Sequence, residues 1–433
     1  MNDLQNFFFK KKFLIYGFGK SGFSSFKFLD KKNYCKIIDD KKGNIPFKFK
    51  KKIINYYQLK KNYFDYIIIS PGIDINNCKL SSYLNENKTK IITDLDIFYL
   101  NYPKIKKITI TGTNGKSTTS KLLFEVLKSE KKDVRLAGNI GKPILTEKNI
   151  KKNTIFIIEA SSYQLEYSKF FKSNYGLILN LSPDHLERHL NFKNYVKAKF
   201  KLMINQSKED FSFVENSNKH LNQLIKKNNI KSKIQVVNYK RYIKNFKLVK
   251  NNYFNNLSNR KNLSFVFAIS KTLKINSKKV INVTNKFKGL DYRQQIIYNS
   301  KKLMIINDSK STSLSSTVPL LESFKNIYWI IGGLAKKGDK LNLHKKFFKK
   351  INAYIYGKDR IFFSRILLNK IKYKSSKTLN NSLKLIFMDF KKNINEKKII
   401  LFSPSAASFD QFQNFEERGK YFNNIIKKYL KKN

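Results

Sequence analysis

The chain has 433 residues, of which 41% are hydrophobic and 14% aromatic. This is enough for about three domains with buried cores, so wholesale disorder is excluded. Lysine and arginine number 88 against 30 acidic residues, a net charge of +58, but arginine occurs at only eight positions. Because phosphate and base recognition favours arginine, and because lysine is spread along the chain among residues with AT-rich codons, we expect no specific nucleic-acid partner.

Signals for export or membrane insertion are missing from the sequence. No uninterrupted apolar run approaches the ~18 residues of a membrane span. The N-terminus lacks a small-residue cleavage site, and two cysteines, Cys35 and Cys78, cannot form a disulfide framework. We therefore expect a cytoplasmic protein without a membrane span.

The first predicted strand, residues 13–16, leads into a glycine loop. Residues 17–22 read G-x-G-x-x-G and precede a helical pattern. Such a loop directs backbone N–H groups and a helix N-terminus at a pyrophosphate. Asp39 follows a second strand, and a third strand over 65–70 ends at Pro71-Gly72. A dinucleotide or a nucleotide-diphosphate sugar fits this pattern, and a tight turn without a ligand remains the alternative.

A phosphate loop follows the predicted strand 107–110. Residues 111–119 read TGTNGKSTT and precede a helix over 120–127. The core G-x-x-G-K-S is a shortened Walker A motif, with Ile110 where the full motif has its first glycine. Loop N–H groups would cradle phosphate oxygens, Lys116 would neutralise their charge, and Ser117 or Thr118 would reach Mg²⁺. The sequence therefore predicts ATP binding.

Candidate metal ligands follow the next two predicted strands. Glu159 ends the strand 154–158, and Asp184, His185 and Arg188 come after the strand 177–179. A carboxylate at the carboxyl end of a parallel strand faces the crevice where ligands bind. Mg²⁺ prefers oxygen ligands, so His185 is either an unusual ligand or an ordinary surface histidine.

The remaining chain returns to alternating strands and helices. Residues 216–257, rich in Lys and Asn, are predicted to be exposed and irregular, before a helix over 262–273 and a link over 286–291. Further strands are predicted at 304–306, 327–331, 353–356 and 399–402. Three of them end in loops that begin at Asn307, Gly332 and Ser403, which indicates one composite crevice. The alternation predicts an α/β fold with parallel sheets.

Together these motifs resemble the Mur ligases of peptidoglycan synthesis. The resemblance covers essentially the whole chain in the order GFGKSG at 17–22, SPGI at 70–73, TGTNGKST at 111–118, GNIG at 138–141, EASSYQLE at 159–166, DHLERH at 184–189, YVKAK at 195–199, NRKN at 259–262, GLDYR at 289–293, NDSKST at 307–312, GGLAKKGD at 332–339 and SPSAASFDQFQNFEERG at 403–419. It implies three α/β domains. They are a Rossmann-like domain over 1–98 for the uridine substrate, a central P-loop ATPase-type domain over 99–287 with a parallel or mixed sheet, and a Rossmann-like domain over 288–433 that closes over ATP and D-glutamate.

The resemblance also implies the reaction, an ATP-dependent joining of D-glutamate to UDP-N-acetylmuramoyl-L-alanine through an acyl phosphate. We expect a monomer with these small-molecule substrates. The uridine substrate would contact Gly19, Lys20, Ser21, Asp39, Asp40, Ser70, Pro71, Gly72, Asn139 and Gln164. ATP would contact Gly112, Thr113, Asn114, Gly115, Lys116, Ser117, Thr118, Asn259, Asn262, Arg293, Asp308 and Lys310.

Metal, amino-acid and catalytic residues follow from the same resemblance. Mg²⁺ would be held by Ser117, Thr118, Glu159, His185 and Lys199, the lysine aligned with Lys199 being carbamylated in this family. D-Glutamate would contact Thr312, Lys336, Ser408, Phe409 and Phe415. Catalysis would depend on Lys116, Glu159, His185 and Lys199. Three positions depart from the family pattern, namely Lys41, Ser258 and Gln295.

Three alternatives remain at this point. Another amide ligase of the superfamily is the nearest. The GFGKSG loop argues against folylpolyglutamate synthase, and SPGI with DQFQNFEERG argues against the alanine-adding Mur ligase. An NAD-dependent oxidoreductase would use the first glycine loop and leave the second unexplained. A nucleic-acid-binding NTPase would have an ATPase activity that RNA or DNA stimulates.

Overall fold

The computed structural model describes residues 7–40, 45–215, 218–336, 338–392 and 396–432. Two residues of the sequence analysis lie outside these ranges: Lys41, which departs from the family pattern, and Lys337 of the motif at 332–339. The backbone forms two compact units, residues 1–243 with 264–283 and residues 244–263 with 284–433. In the described ranges no helix is both long and apolar enough to cross a membrane.

The first unit begins with a parallel sheet of strand order β2-β1-β3-β4. Its strands and helices are β1 Lys12–Tyr16, α1 Lys20–Leu29, β2 Tyr34–Ile38, α2 Tyr56–Lys60, β3 Tyr66–Ile69, α3 Ser81–Glu86, β4 Ile91–Ile92 and α4 Asp94–Asn101. The predicted first three strands are confirmed. Strands β1 and β3 are neighbours, so the glycine loop after β1 and the Ser70–Gly72 turn after β3 share one sheet edge.

The second sheet of this unit is parallel throughout, in the order β10-β9-β8-β5-β7-β6. Its elements are β5 Lys106–Thr111, α5 Lys116–Ser129, β6 Val134–Gly138, β7 Ile155–Glu159, α6 Ser162–Glu166, β8 Tyr175–Ile178, α7 Leu186–His189, α8 Phe192–Ile204, β9 Phe211–Val214, α9 Lys219–Lys227, β10 Lys233–Val236 and α10 Ile243–Lys247. Two helices follow, α11 Leu257–Thr272 and α12 Ser277–Lys286, of which residues 257–263 and 284–286 belong to the second unit, as do residues 244–247 of α10. The whole of β7 is buried, as a central parallel strand covered by helices on both faces requires.

The third sheet lies in the second unit, in the order β11-β12-β16-β13-β14-β15. Its elements are β11 Gln295–Asn299, β12 Leu303–Asn307, α13 Leu314–Ser323, β13 Ile327–Gly332, β14 Ile351–Tyr356, α14 Arg360–Leu367, β15 Lys372–Ser375, α15 Leu379–Lys392, β16 Lys398–Phe402 and α16 Phe415–Lys432. Strand β11 is antiparallel to β12, and the other pairs are parallel. The α/β prediction is confirmed, with one mixed sheet.

The prediction that residues 216–257 are irregular is wrong. The described part of this segment holds α9, β10 and α10, and β10 extends the second sheet. Leu221 of α9 is buried, and Leu224 and Ile225 pack against the same core. These three residues have helical spacing, but lysine and asparagine on the exposed face of α9 conceal the pattern.

A buried carboxylate fixes the segment that follows α6. Asp96 of α4 is fully buried and accepts hydrogen bonds from the backbone N–H groups of Lys169, Phe170 and Phe171 at 3.0, 2.8 and 2.9 Å. It also accepts the backbone N–H of Thr93 at 2.9 Å, which caps its own helix. These bonds satisfy a buried charge and hold the loop beyond α6 against α4.

Lys107 is a buried lysine that closes the turn between α4 and β5. Its side chain donates hydrogen bonds to the carbonyl oxygens of Tyr102 at 3.0 Å and Pro103 at 3.1 Å, and also to that of Ile105. An ammonium group has three N–H donors, and here three carbonyl oxygens face them. The side chain is therefore structural.

Lys107 has a structural role and takes no part in the proposed reaction, so its replacement should destabilise the fold. Lys107→Ala leaves three carbonyl oxygens without their donor, so we expect the free energy of unfolding to fall by about 1–3 kcal/mol. Chemical denaturation followed by circular dichroism measures this change. Lys106→Ala is the control, because Lys106 is exposed on the same strand. Equal stability of the two variants would contradict the assignment.

Candidate active site

The loop between β5 and α5 has the geometry of a phosphate-binding loop. Gly112 and Gly115 have φ of +147° and +82°, a region that side chains disfavour. A Cβ at Gly112 would lie 3.1 Å from the Cβ of Leu179, so the position also needs a small residue. The loop leads directly into the N-terminus of α5, where backbone N–H groups attract anions.

Asn180 supports this loop from the neighbouring strand. It follows β8, and its Oδ1 accepts the N–H of Asn114 at 2.8 Å while its Nδ2 donates to the Asn114 carbonyl oxygen at 2.9 Å. The Asn180 carbonyl oxygen accepts the N–H of Thr113 at 2.8 Å. Sequence reasoning did not select Asn180. The available signal was an amide side chain at the carboxyl end of a strand beside the loop.

Two lysine side chains converge on one carbonyl oxygen. Lys116 Nζ donates to the carbonyl oxygens of Gly112 and Thr113, each at 2.8 Å. Lys199 Nζ donates to the same Gly112 oxygen at 3.0 Å and to Thr111 Oγ1 at 3.3 Å. Lys199 is 1% exposed. Burial, reinforced by the charge of Lys116, lowers the pKa of Lys199 well below its ordinary value.

Glu159 brings a buried carboxylate to the same sheet edge. It ends β7, which lies beside β5. Its Oε1 accepts a hydrogen bond from Asn139 Nδ2 at 2.7 Å, while its buried Oε2 has no hydrogen-bond partner among the described residues. Gly138 makes this contact feasible, because a Cβ there would lie 2.4 Å from the Glu159 carbonyl oxygen.

These side chains fit Mg²⁺ in chemical character. An unsatisfied carboxylate oxygen and the hydroxyls of Ser117 and Thr118, in the first turn of α5, are the hard oxygen donors that Mg²⁺ prefers. Within the described ranges, no three His, Cys, Asp or Glu side chains lie close enough together to hold a metal ion. The predicted Mg²⁺ ligands also include the hydroxyls of Ser117 and Thr118 and the side chain of Lys199, which are not among these four residue types.

His185 lies at the start of α7 in a left-handed conformation, with φ of +54°. Its Nδ1 is 2.8 Å from the hydroxyl oxygen of Tyr163, and its Nε2 is 3.4 Å from Asp184 Oδ2. Arg188, three residues on, pairs with Glu166 of α6 at 3.1 Å. The structure therefore holds α7 against α6 by a partly buried ion pair.

In the first sheet, two predicted substrate motifs pack directly together. Ser70 Oγ donates to the Gly17 carbonyl oxygen at 2.9 Å. A Cβ at Gly22 would lie 1.9 Å from the same oxygen, so only glycine fits there. By contrast, a Cβ at Gly19 or Gly72 would meet no atom within 4 Å. The fold does not need glycine at these two positions, which leaves open space for a ligand.

Several predicted substrate residues already have partners in the protein. Asp39 accepts the N–H of Phe18, and Asp40 accepts the hydroxyl of Tyr16 at 2.8 Å. Ser21 donates to Asp94 at 3.1 Å. Gln164 caps α6 by accepting the N–H of Ser161 at 3.1 Å. These contacts position the residues, and their contacts with substrate remain predictions.

In the second unit, the loops after β12, β13 and β16 meet as predicted. Leu334 and Ala407 exchange backbone hydrogen bonds at 3.0 and 2.9 Å, which join the second and third of these loops. Arg418 of α16 is fully buried and donates to the carbonyl oxygens of Ser309 at 2.7 Å and Ala406 at 3.0 Å. Arg418 belongs to the motif at 403–419, but the sequence pattern did not indicate a role for this residue.

Predicted nucleotide and D-glutamate residues meet at Phe415. Lys310 Nζ lies 4.2 Å from the centre of its ring, and the Arg293 guanidinium carbon lies 5.8 Å away. Ser408 is buried, while Thr312 and Phe409 are exposed. Lys336 is part of the loop after β13.

The two predicted asparagines of α11 form an internal network. Asn259 Nδ2 donates to Gln294 Oε1 at 2.9 Å and to the Tyr253 carbonyl oxygen at 2.7 Å. Asn262 lies 3.4 Å from Asn259. Gln295 closes its own turn by donating to Asp291 at 2.9 Å. Within the part of the chain that the structure describes, Ser258 has no comparable contact.

Asp308 is a buried carboxyl group linked to a chain of hydroxyls. It accepts hydrogen bonds from Ser403 Oγ at 2.9 Å and from the N–H of Gln294 at 3.1 Å. Thr317 Oγ1 lies 2.7 Å from Ser403 Oγ and 2.7 Å from Ser311 Oγ. Burial raises the pKa of Asp308 to about 7, against the opposing effect of these hydrogen bonds and of two arginines.

The raised pKa of Asp308 predicts a pH-dependent stability. Between the ordinary pKa of 3.8 and about 7 the folded state keeps a proton that the unfolded state has lost, so stability falls as pH rises through this window. Asp308→Asn removes this dependence. We expect the variant's unfolding free energy, relative to the unchanged protein, to be larger at about pH 8 than at about pH 4. Denaturant titrations at both pH values measure it.

The control for this prediction is Asp291→Asn, because Asp291 is exposed. Its stability should follow the unchanged protein across the whole window. If the unfolding free energy of Asp308→Asn changed with pH in the same way as that of the unchanged protein, the buried carboxyl group would not be the source of the pH dependence.

Comparisons with known proteins agree with this geometry. The Mur ligase middle domain model matches residues 110–289. The UDP-N-acetylmuramoylalanine–D-glutamate ligase of Buchnera aphidicola is 35% identical over 97% of this chain and 98% of its own, and that of Rickettsia prowazekii is 32% identical over 98% and 99%. Among solved structures, the UDP-N-acetylmuramate–alanine ligase of Thermotoga maritima has a TM-score of 0.55 at 16% identity and covers 98% of this chain and 100% of its own. MurF of Acinetobacter baumannii has a TM-score of 0.56 at 14% identity, over 86% and 87%, and both structures share the fold. The chain therefore belongs to the Mur ligase family.

Proposed function

We propose that this protein is an ATP-dependent ligase that joins D-glutamate to UDP-N-acetylmuramoyl-L-alanine in peptidoglycan synthesis. The observation that carries the proposal is the cluster around Gly112, where Lys116 and Lys199 share one carbonyl oxygen. The half-buried amine of Lys116 and the buried amine of Lys199 both face the glycine loop, where an anion is favoured, and a polyphosphate supplies it. The choice of substrates is supported by near full-length similarity to relatives that bear this activity in their names.

We propose a division of labour among three domains, residues 1–98, 99–287 and 288–433. One sheet falls within each range, which supports the division. The first domain would bind the uridine nucleotide, the second would bind the ATP phosphates, and the third would bind D-glutamate and part of ATP. We further propose that the protein works as a monomer in the cytoplasm, where ATP is supplied.

In the first step, the substrate carboxylate attacks the γ-phosphorus of ATP, and ADP leaves. Phosphoryl transfer depends on positioning and charge stabilisation more than on covalent help from the protein. Loop N–H groups and the α5 N-terminus would orient the β- and γ-phosphates. Lys116, now bonded to two carbonyl oxygens, would turn its ammonium group to the phosphates.

The protein side chains that would hold Mg²⁺ lie at the same sheet edge. Glu159, with its unsatisfied Oε2, and the hydroxyls of Ser117 or Thr118 would serve one ion, and His185 with Lys199 a second. When bound, Mg²⁺ supplies positive charge to the phosphate oxygens. Asn139 orients the Glu159 carboxylate through its other oxygen, which keeps Oε2 available.

Lys199 is an unsuitable metal ligand as an ammonium ion and a suitable one as a carbamate. An uncharged amine attacks CO₂, and the product loses a proton to give an anionic oxygen donor. The burial of Lys199 and its low pKa favour the uncharged amine that this reaction needs. We therefore propose carbamylation at Lys199.

In the second step, the amine of D-glutamate attacks the acyl carbon of the acyl phosphate, and inorganic phosphate leaves with formation of the amide. No protein nucleophile is required. Lys310 and Arg293, which lie around Phe415, would serve the nucleotide, and Phe415 itself would contact D-glutamate. Arg418 would hold the loops after β12 and β16 in place through their carbonyl oxygens.

The reaction is tested by ADP release with UDP-N-acetylmuramoyl-L-alanine, ATP and Mg²⁺. Separate reactions receive D-glutamate, L-glutamate, L-alanine or D-aspartate, and we expect release only with D-glutamate. Release with another amino acid would keep the ligase and overturn the specificity. No release with any of them would overturn the proposed reaction.

Lys199→Ala tests the proposed carbamate. We expect ligase activity to fall on the order of 100-fold or more, because the second Mg²⁺ would lose a ligand and the phosphates would lose its positive charge. A short carboxylic acid added to the assay should restore part of the activity by supplying the missing carboxylate. Lys197→Ala is the matched control, since Lys197 is exposed on the same helix. Full activity of Lys199→Ala would refute the role.

A further inference from the structure

The hydroxyl of Tyr163 makes a contact that neither the motifs nor the proposed chemistry explains. Its oxygen lies 2.8 Å from Nδ1 of His185, within hydrogen-bond distance. Tyr163 belongs to α6, and His185 precedes α7, so the contact joins two elements. A phenylalanine would fill the same space without this bond.

The ring of Tyr163 is held in place from more than one side. The guanidinium carbon of Arg188 lies 5.0 Å from the ring centre, and the His189 ring stacks on it with centroids 5.6 Å apart. Arg188 is itself fixed by its ion pair with Glu166. Because the ring is fixed, its hydroxyl has a defined position relative to α7.

The backbone of His185 is also constrained. Its φ is +54°, and Leu190 at the other end of α7 has φ of +66°. Non-glycine residues in this region carry a conformational cost and persist where the surroundings impose them. The strained turn therefore fixes the position of the His185 Cβ, from which the imidazole reaches the Tyr163 hydroxyl.

The two nitrogens of His185 face different groups. Nδ1 faces the Tyr163 hydroxyl at 2.8 Å and Glu187 Oε1 at 3.4 Å. Nε2 faces Asp184 Oδ2 at 3.4 Å. A carboxylate oxygen lies 3.4 Å from each nitrogen, so the Tyr163 hydroxyl at Nδ1 is the contact that distinguishes them, and it makes Nε2 the better ligand of the two.

We propose that Tyr163 is a positioning residue for His185, whose Nδ1–H donates to the phenolic oxygen and thereby leaves the Nε2 lone pair for a divalent cation. The proposal rests on the proposed function, which assigns His185 to a Mg²⁺ site. The hydrogen bond made by one ring nitrogen decides which nitrogen is available to a metal. Without the phenolic oxygen, imidazole reverts toward the Nε2–H tautomer that it prefers in water, and that tautomer cannot bind through Nε2.

The tautomer can be read directly in the metal-free protein. The chain has four histidines, so a two-bond proton–nitrogen NMR spectrum of the imidazoles contains few signals. His185→Gln identifies the His185 signal by its loss. We expect the Nδ1–H tautomer at His185 in the unchanged protein and a shift toward Nε2–H in Tyr163→Phe. An Nε2–H tautomer in the unchanged protein, or no shift in the variant, would overturn the proposal.

Metal binding supplies the second readout. Mn²⁺ binding, followed by electron paramagnetic resonance with a non-hydrolysable ATP analogue present, should weaken in Tyr163→Phe by roughly 10-fold or more. The Mg²⁺ concentration for half-maximal ligase activity should rise in parallel, while the rate at saturating Mg²⁺ recovers. Unchanged Mn²⁺ affinity would refute the positioning role.

Tyr167→Phe is the matched control. The guanidinium carbon of Arg188 lies 5.5 Å from the centre of its ring. Within the described residues, the Tyr167 hydroxyl makes no hydrogen bond to His185. We expect the tautomer, the Mn²⁺ affinity and the Mg²⁺ dependence to stay unchanged. If the unchanged protein does not ligate D-glutamate, the proposed function fails, whereas the tautomer and Mn²⁺ measurements still decide the role of Tyr163.

Discussion

The candidate site depends on two amines that donate to one carbonyl oxygen. Lys116 and Lys199 both bond to the Gly112 oxygen, and Lys199 is almost completely buried. Like charges brought together away from water repel, so this arrangement persists at low cost only if one amine is uncharged or an anion lies nearby. Phosphate at the loop meets the second condition, and loss of a proton from Lys199 meets the first. The chemistry that we propose uses both.

Parallel sheets explain why distant motifs meet. Every parallel strand presents its carboxyl end at the same edge, so residues 111–115, Glu159 and Asn180 become neighbours although they are far apart in sequence. The strand pattern was sufficient to predict that the phosphate loop and Glu159 share this edge, but not that Asn180 supports the loop. It was also sufficient for the meeting of the loops after β12, β13 and β16, whereas the Ser70–Gly17 hydrogen bond was not predicted.

Other features were beyond sequence reasoning for identifiable physical reasons. The role of Arg418 depends on carbonyl oxygens of two loops, and backbone acceptors leave no trace in residue identity. Gln164 and Asn259 have capping and network partners that compete with any ligand contact, and only coordinates reveal them. Helix α9 was missed because its apolar face is three residues wide within a lysine-rich segment. Composition conceals short amphipathic helices more readily than buried strands.

Lysine is so common in this chain that its presence carries little information, and its environment carries much more. Lys107 and Lys199 are equally buried, yet their surroundings differ. Lys107 meets three carbonyl oxygens, which match the three donors of an ammonium ion, so its charge is satisfied within the protein. Lys199 meets one carbonyl oxygen and one hydroxyl, and its pKa is lowered by burial and, after burial, by the charge of Lys116. Burial lowers the pKa of both amines, that of Lys107 to about 7, but Lys107 has three acceptors that replace its lost hydration, whereas Lys199 has fewer acceptors and a like charge beside it. Burial alone does not distinguish a structural lysine from a reactive one, whereas the number of acceptors and the sign of the nearest charge do.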